Sequence, residues 1–295
     1  LAVKCVRPDP ASGRQCLPCQ VAVNLKGEVI SPLMPAFAPV LQTLARDGVF
    51  VGTSSWKYPG WLGQLYDEGR YRTRGRFSQS KFEANCLAEY AETFSTVCVD
   101  AGYYAFPTEK YVTGLAAQVP AHFRFGFKVT DEITVKRFPR LPRFGLRGGQ
   151  VNPHFLDAEL FARCFLAPCE AIRPNVGVLI FEFSHFHERD FARGRDFLPL
   201  LDRFLSELPR GWLYAVEIRN RTFLHPEYFA VLRAHDVAHC FNAWERMPPV
   251  SAVCPSAGGG NASGSIRIVS GVGDPVPIPA GAGGTTNLRL VTRPS

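Results

Sequence analysis

Charged side chains stand at the ends of apolar segments of this chain. Glu217 and Arg219 alternate along the segment 213–219, and Lys128 follows the apolar run 123–127. Residues two apart on a strand point to the same face, so the Glu217 carboxylate and the Arg219 guanidinium would share one face. Burying such charges is costly unless they are paired or bind a ligand. The pattern predicts an acid–base site with Glu217, Lys128 and Arg219 as catalytic candidates, and a structural ion pair is the alternative.

Aromatic and polar residues after other apolar segments are candidates for binding a substrate. Trp56, Tyr58 and Trp61 follow the segment 49–54 closely. Wide rings with polar tips can stack on a flat or sugar-like ligand. The alternative is that the two tryptophans only cover the end of a sheet. Further candidates at the ends of the other segments are Asp100, Tyr104, Glu182 and Asn242.

A cationic loop is the second feature that points to a ligand. Residues 136–147 interleave five cations with Phe and Pro. Such a loop can follow the phosphates of a nucleic acid or cover an anionic ligand, and Arg137, Arg140 and Arg143 are the anion-binding candidates. A solvated surface loop is the alternative.

The sequence predicts no cofactor, and the signs of a metal site are weak. His185 and His187 flank Phe186 and, together with nearby carboxylates, could hold a divalent metal, although their spacing is unspecific. Cys16 and Cys19 form a lone C-x-x-C without a second pair at zinc spacing. The chain has no phosphate-binding Walker loop, nucleophile elbow or H-E-x-x-H motif.

Alternating strands and helices must position these residues. Apolar runs predict buried strands at 49–54, 96–100, 123–130, 176–183, 213–219 and 237–243. Helical periodicity predicts helices at 78–94, 157–166, 189–208 and 226–235, the third kinked or split by Pro199. This alternation predicts an α/β protein, and without a G-x-G-x-x-G after the first strand a TIM-type (β/α) barrel is favoured.

The two ends of the chain differ in composition from its middle. Residues 1–47 predict an irregular extension with a short helix at 37–46, and residues 48–251 predict the barrel domain. Residues 252–295 are rich in Gly, Pro and Ala and predict a flexible tail, in which only 266–269 and 288–291 could form strands. We therefore expect the barrel to be incomplete or irregular at its C-terminal end.

Composition narrows the class of protein. The net charge of +7 favours anionic ligands weakly, and 46% hydrophobic residues fit a globular domain. The longest apolar run is far too short to span a bilayer, and no signal-peptide pattern begins the chain, so no membrane partner is expected. Nine cysteines without regular pairing predict a reducing, cytoplasmic location.

Several separated motifs resemble one known family. They are the segment 52–61 (GTSSWKYPGW), 103–107 (YYAFP), 127–129 (FKV), 133–134 (IT) and 216–220 (VEIRN). In this order they resemble the YecE-like family, also called domain of unknown function 72, over about residues 48–250. The resemblance implies a TIM-type barrel and brings no established activity. It points to characteristic mouth residues at Trp56, Tyr58, Trp61, Tyr104, Lys128, Thr134, Glu217 and Arg219.

Two classes of function remain open from the sequence. The first is a barrel enzyme, a hydrolase or lyase acting on a phosphorylated, sugar-like or nucleic-acid substrate at the C-terminal face of the barrel. The second is a non-catalytic protein that binds nucleic acid or another anion through the same mouth. An inactive, truncated relative is a further alternative.

Overall fold

The computed structural model describes residues 37–242, 246–248 and 253, together with the backbone of residues 267–272 and 287–292. Most of the predicted N-terminal extension and much of the predicted flexible tail lie outside these residues. The short helix predicted near residue 37 is confirmed as α1.

The strands follow the predicted apolar segments closely. In chain order they are β1 Val49–Thr53, β2 Arg72–Thr73, β3 Arg76–Phe77, β4 Thr96–Val99, β5 Arg124–Lys128, β6 Val176–Phe183, β7 Tyr214–Ile218, β8 Ala238–Asn242, β9 Arg267–Val272 and β10 Asn287–Thr292. The α-helices are α1 Ala38–Arg46, α2 Gln79–Thr93, α3 Ala101–Tyr104, α4 Glu109–Ala116, α5 Asp131–Thr134, α6 Ala158–Leu160, α7 Ala167–Cys169, α8 Gly194–Glu207 and α9 Pro226–Ala234.

Six strands form a curled parallel sheet that resembles half of a barrel. β1, β4, β5, β6, β7 and β8 pair in this order, each parallel to the next. β9 pairs parallel with β8, whereas β10 runs antiparallel to both β9 and β1. The α/β prediction is therefore confirmed. An all-parallel (β/α)8 barrel is not what these strands form, because the last two make an antiparallel pair.

Alternation along the strands separates two apolar layers. On the outer face, large side chains pack against the helices, and they include Val99, Phe127, Phe181 and Ile218. On the inner face a separate cluster is made of smaller side chains, namely Cys98, Val178, Ile180, Ala215 and Cys240. This small apolar cluster lies on the inner face of the strands that carry the charged candidates near their carboxyl ends.

The close approach of β1 and β4 depends on a glycine. A Cβ at Gly52 would lie 1.9 Å from the carbonyl oxygen of Thr96, which is its partner in the ladder. Backbone atoms cannot move away from such a contact without separating the strands. Gly52 therefore lets β1 join the sheet.

Pro199 was predicted to kink or split its helix, and the split is not observed. α8 continues from Gly194 to Glu207 with Pro199 inside it. Phe197, Leu201 and Phe204 on this helix are buried in the core. Packing of this face outweighs the single backbone hydrogen bond that proline removes.

Within the described part of the chain, no helix is long and apolar enough to cross a membrane.

Candidate functional site

Five charged side chains from four neighbouring strands meet at the carboxyl end of the sheet. We call Asp100, Lys128, Glu182, Glu217 and Arg219 the mouth network. Strand register brings them together, because Val99 pairs with Phe127 just before Asp100 and Lys128, and Glu182 pairs directly with Glu217. The predicted catalytic candidates thus lie in one group with two of the predicted binding residues.

Glu182 lies at the centre of the mouth network. Its Oε2 is 2.8 Å from Lys128 Nζ, and its Oε1 is 2.6 Å from Arg219 Nη2. Lys128 Nζ also lies 3.1 Å from Asp100 Oδ1. Arg219 contacts Glu217 Oε1 through Nε and Nη2, each at 3.4 Å. The ion pairs therefore form a continuous chain from Asp100 to Glu217.

Burial and charge set the chemistry of the mouth network. The side chains of Glu182 and Glu217 are only 5% and 2% exposed, whereas that of Arg219 is 28% exposed. Burial alone would lower the pKa of Arg219, but the carboxylates of Glu182 and Glu217 outweigh it, so the pKa is raised. With all five groups ionised, the three carboxylates exceed the two cations of the mouth network by one formal charge.

Two buried thiols contact the carboxylates from the inner apolar cluster. Cys240 Sγ lies 3.7 Å from Glu217 Oε2, and Cys98 Sγ lies 3.8 Å from Asp100 Oδ1. Neither cysteine was among the candidates selected from the sequence. Their alternation with Asp100 and Asn242 along the strands is the signal that could have found them, because residues two apart share a face.

Asn242 has a structural contact. Its Nδ2 donates a hydrogen bond of 3.1 Å to the carbonyl oxygen of Ile218. The side chain thus ties the end of β8 to the end of β7, beside the mouth network.

Tyr103 is a further residue of this site that sequence reasoning did not select. Its hydroxyl lies 3.4 Å from Ser184 Oγ, just beyond β6. Burial raises the pKa of this phenol, and the nearby Glu182 carboxylate adds to the effect. Its neighbour Tyr104, the predicted binding residue, points outward and is 64% exposed.

Arg143 covers the two tyrosines. Its guanidinium lies 5.0 Å from the ring centroid of Tyr104 and 5.8 Å from that of Tyr103. It also forms an ion pair with the buried Asp131, whose pKa is raised by burial against the effect of Arg143. Arg143 therefore fastens the cationic loop over α3 and α5.

The other cations of this loop are divided between internal contacts and solvent. Arg137 Nε lies 3.1 Å from Asp190 Oδ1, and its Nη1 donates to the carbonyl oxygen of Gly149. Arg147 pairs with Glu132 at 2.5 Å. Arg140 is exposed. Much of the positive charge in the loop is thus neutralised by the protein itself.

The aromatic segment after β1 packs inward. Trp56 is only 5% exposed and belongs to the main hydrophobic core, and the Tyr66 hydroxyl donates to its carbonyl oxygen. Tyr58 and Trp61 form an edge-to-face pair with centroids 5.3 Å apart. Trp56 therefore has almost no free face for stacking on a ligand, whereas Trp61 is half-buried.

The remaining sequence candidates are Thr134 and the two histidines after β6. Thr134 is fully buried, and its hydroxyl donates to the carbonyl oxygen of Thr130 at 3.4 Å. The rings of His185 and His187 meet edge to face with centroids 5.6 Å apart. Among the described residues, no group of three or more His, Cys, Asp or Glu side chains is arranged to hold a metal ion.

Comparison with known proteins identifies the family. The family described as "Protein of unknown function DUF72" matches residues 50–269 of this chain. The chain belongs to the DUF72 family. The resemblance predicted from the sequence motifs is therefore confirmed, and the residues of the mouth network all lie within the matched range.

The chain also has weaker similarity to a curated protein and to two solved structures. The UPF0759 protein YecE of Escherichia coli K12 is 23% identical over 182 residues, which are 62% of this chain and 50% of the relative. The chain thus spans about half the length of this curated relative. A DUF72 family protein from Thermotoga maritima has 19% identity and a TM-score of 0.43, covering 65% of this chain and 64% of the other. One from Enterococcus faecalis has 19% identity and a TM-score of 0.40, covering 53% of each chain.

Proposed function

We propose that this DUF72 protein is an enzyme that performs acid–base chemistry on a neutral, hydroxyl-bearing, sugar-like molecule at the carboxyl ends of the parallel strands. The observation that carries the proposal is the pair of buried carboxylates, Glu182 and Glu217, on adjacent strands and bridged by the single guanidinium of Arg219. Paired carboxylates in a buried site are the usual groups for general acid–base catalysis. Hydrolysis and elimination are the reactions that such a pair serves.

Different surroundings suggest different roles for the two carboxylates. Glu182 forms short ion pairs with Lys128 and Arg219, which stabilise its charged form. Glu217 lies between Arg219 and the thiol of Cys240. We assign proton transfer to Glu217 and the positioning of the two cations to Glu182. Lys128 and Arg219, which keep some exposure to solvent, would donate hydrogen bonds to substrate oxygens.

The charge of the mouth network supports a neutral substrate over a phosphorylated one. Among the described residues, Lys128 and Arg219 already face three carboxylates, which disfavours an added phosphate beside them. The cationic loop offers little compensation, because Arg137 and Arg143 are paired with Asp190 and Asp131. These contacts also weaken the alternative of a nucleic-acid-binding protein that uses this loop.

Turnover measurements on purified full chain test the proposal. The panel contains p-nitrophenyl glycosides, which are neutral, and p-nitrophenyl phosphate, which is anionic. The test variant is Glu217→Gln, and the matched control is Glu227→Gln, which alters an exposed ion pair with Arg195.

We expect glycoside turnover by the wild type and by Glu227→Gln, and a loss of about 100-fold or more in Glu217→Gln. Circular dichroism checks that each variant is folded. Unchanged turnover in folded Glu217→Gln, or turnover of the phosphate ester alone, would contradict the proposal.

A further inference from the structure

A cavity of about 890 Å³ lies outside the mouth network, between two loops at the same end of the sheet. One loop joins β6 to α8 and the other joins β7 to α9. We call it the loop cavity. Its volume falls in the range of sites for small molecules and cofactors. The residues that line it include His185 and Asn220, and Asn220 directly follows Arg219 of the mouth network in the sequence.

The floor of the loop cavity is aromatic and well packed. Phe186 and Phe223 stack with centroids 5.8 Å apart and an interplanar angle of 19°. Phe186 also meets Phe191 edge to face at 5.0 Å. All three residues are buried and line the cavity. Such a floor favours a ligand with an apolar part.

Asn220 holds the cavity wall in shape. Asn220 is buried, with 7% of the residue exposed, and its Oδ1 accepts a hydrogen bond of 2.8 Å from the backbone N–H of Phe186. Its Nδ2 donates to the carbonyl oxygen of the same Phe186 at 2.9 Å. This double hydrogen bond fixes the β6–α8 loop against the β7–α9 loop. The loop cavity is therefore largely formed before any ligand arrives, which lowers the entropic cost of binding.

The rim of the loop cavity combines flat rings with positive charge. His185 and His187 are exposed, and their imidazole rings lie 5.6 Å apart at an angle of 69°. Arg189 and Arg193 bring two positive charges, against one from the carboxylate of Glu188. Arg193 is already paired with Asp196 at 2.8 Å. Arg189 is thus the cation best placed to meet an anionic group.

We propose that the loop cavity binds a small anionic molecule that carries a flat ring, such as a nucleoside monophosphate. Its ring stacks on the exposed imidazole of His187, because aromatic side chains stack on planar groups. Its anionic group pairs with Arg189, whose guanidinium matches phosphate geometry. The inference rests on the cavity and does not depend on the reaction proposed for the mouth network.

Calorimetric titration of the full chain with adenosine monophosphate tests this proposal. Adenosine and inorganic phosphate serve as the ring-only and anion-only probes. The cavity variants are Arg189→Ala and His187→Ala, both at exposed positions. The matched control is Arg203→Ala, which alters an exposed arginine on α8 that pairs with Glu207. The Glu217→Gln variant alters the mouth network alone and shows whether binding of the monophosphate depends on it.

We expect Arg189→Ala to weaken binding of the monophosphate about tenfold or more and to leave adenosine unchanged. His187→Ala should weaken both, whereas Arg203→Ala and Glu217→Gln should bind like the wild type. The proposal is overturned if the monophosphate does not bind at millimolar concentration, if Arg203→Ala loses as much as Arg189→Ala, or if inorganic phosphate binds as tightly as the monophosphate. If only Glu217→Gln loses binding, the ligand binds at the mouth network, and the proposal is likewise overturned.

Discussion

Replacing Glu182 by Gln should strongly destabilise the protein, because one carboxylate serves two cations. Its oxygens lie 2.8 Å from Lys128 Nζ and 2.6 Å from Arg219 Nη2, and the side chain is 5% exposed. Glutamine keeps the size but removes the charge. Breaking a buried ion pair by removing one partner costs about 3–5 kcal/mol. Since the Lys128 and Arg219 side chains are 13% and 28% exposed, water offsets part of this, and we expect about 3 kcal/mol.

Urea unfolding followed by circular dichroism measures this loss. The matched control is Glu207→Gln, the same chemical change in a surface pair whose oxygen lies 2.9 Å from Arg203. That carboxylate is 46% exposed, so its replacement should cost no more than about 0.5 kcal/mol. Comparing the two variants shows how much of the loss of stability comes from burial of the ion pair.

Coupling between Glu182 and Lys128 provides a second readout. If the two charges stabilise each other, Lys128→Met in the Glu182→Gln background should cost about 1 kcal/mol less than in the wild type. The reasoning is refuted if Glu182→Gln loses no more stability than Glu207→Gln, or if the effects at Glu182 and Lys128 simply add.

Two further predictions concern pH and backbone packing. His239 is buried beside Tyr228, and burial lowers the pKa of its imidazole to about 4. Because the unfolded chain takes up this proton near pH 6.5, the wild type should lose up to about 3 kcal/mol as pH falls from 6.5 to 4. In urea unfolding, the His239→Phe variant should not show this loss of unfolding free energy between pH 6.5 and 4. The same pH dependence in the variant and the wild type would contradict the prediction. Gly52→Ala should cost at least about 2 kcal/mol, because its Cβ would overlap the Thr96 carbonyl. Gly114→Ala on α4 has open space and should stabilise by up to about 1 kcal/mol, so a similar Tm for both variants would refute this account.

Much of the sheet could be predicted from the sequence because its strands are buried on both faces. Continuous apolar runs such as Val176–Phe183 mark parallel strands directly. The residues at the ends of these runs then fall at one edge of the sheet, which is why Lys128, Glu182 and Glu217 could be grouped from the sequence alone.

Contacts between distant parts of the chain could not be predicted in the same way. Arg137 lies 53 positions before its partner Asp190, and no local pattern connects them. The charge on the cationic loop therefore looked free in the sequence. Trp56 was expected at a mouth because it follows a strand, but its burial depends on how the segment after β1 folds back onto the core. The antiparallel course of β10 likewise comes from tertiary pairing.

A crystal structure of the Glu217→Gln variant of this chain, soaked with the best glycoside from the turnover panel, tests the central claim most directly. The variant should retain substrate because its proposed proton-transfer group is absent. The account predicts a sugar bound at the carboxyl ends of β5 to β7, with its scissile oxygen within hydrogen-bond distance of residue 217 and its hydroxyls on Arg219 and Lys128. A sugar bound elsewhere, with the ion pairs of Glu182 intact and no ligand touching them, would contradict the account.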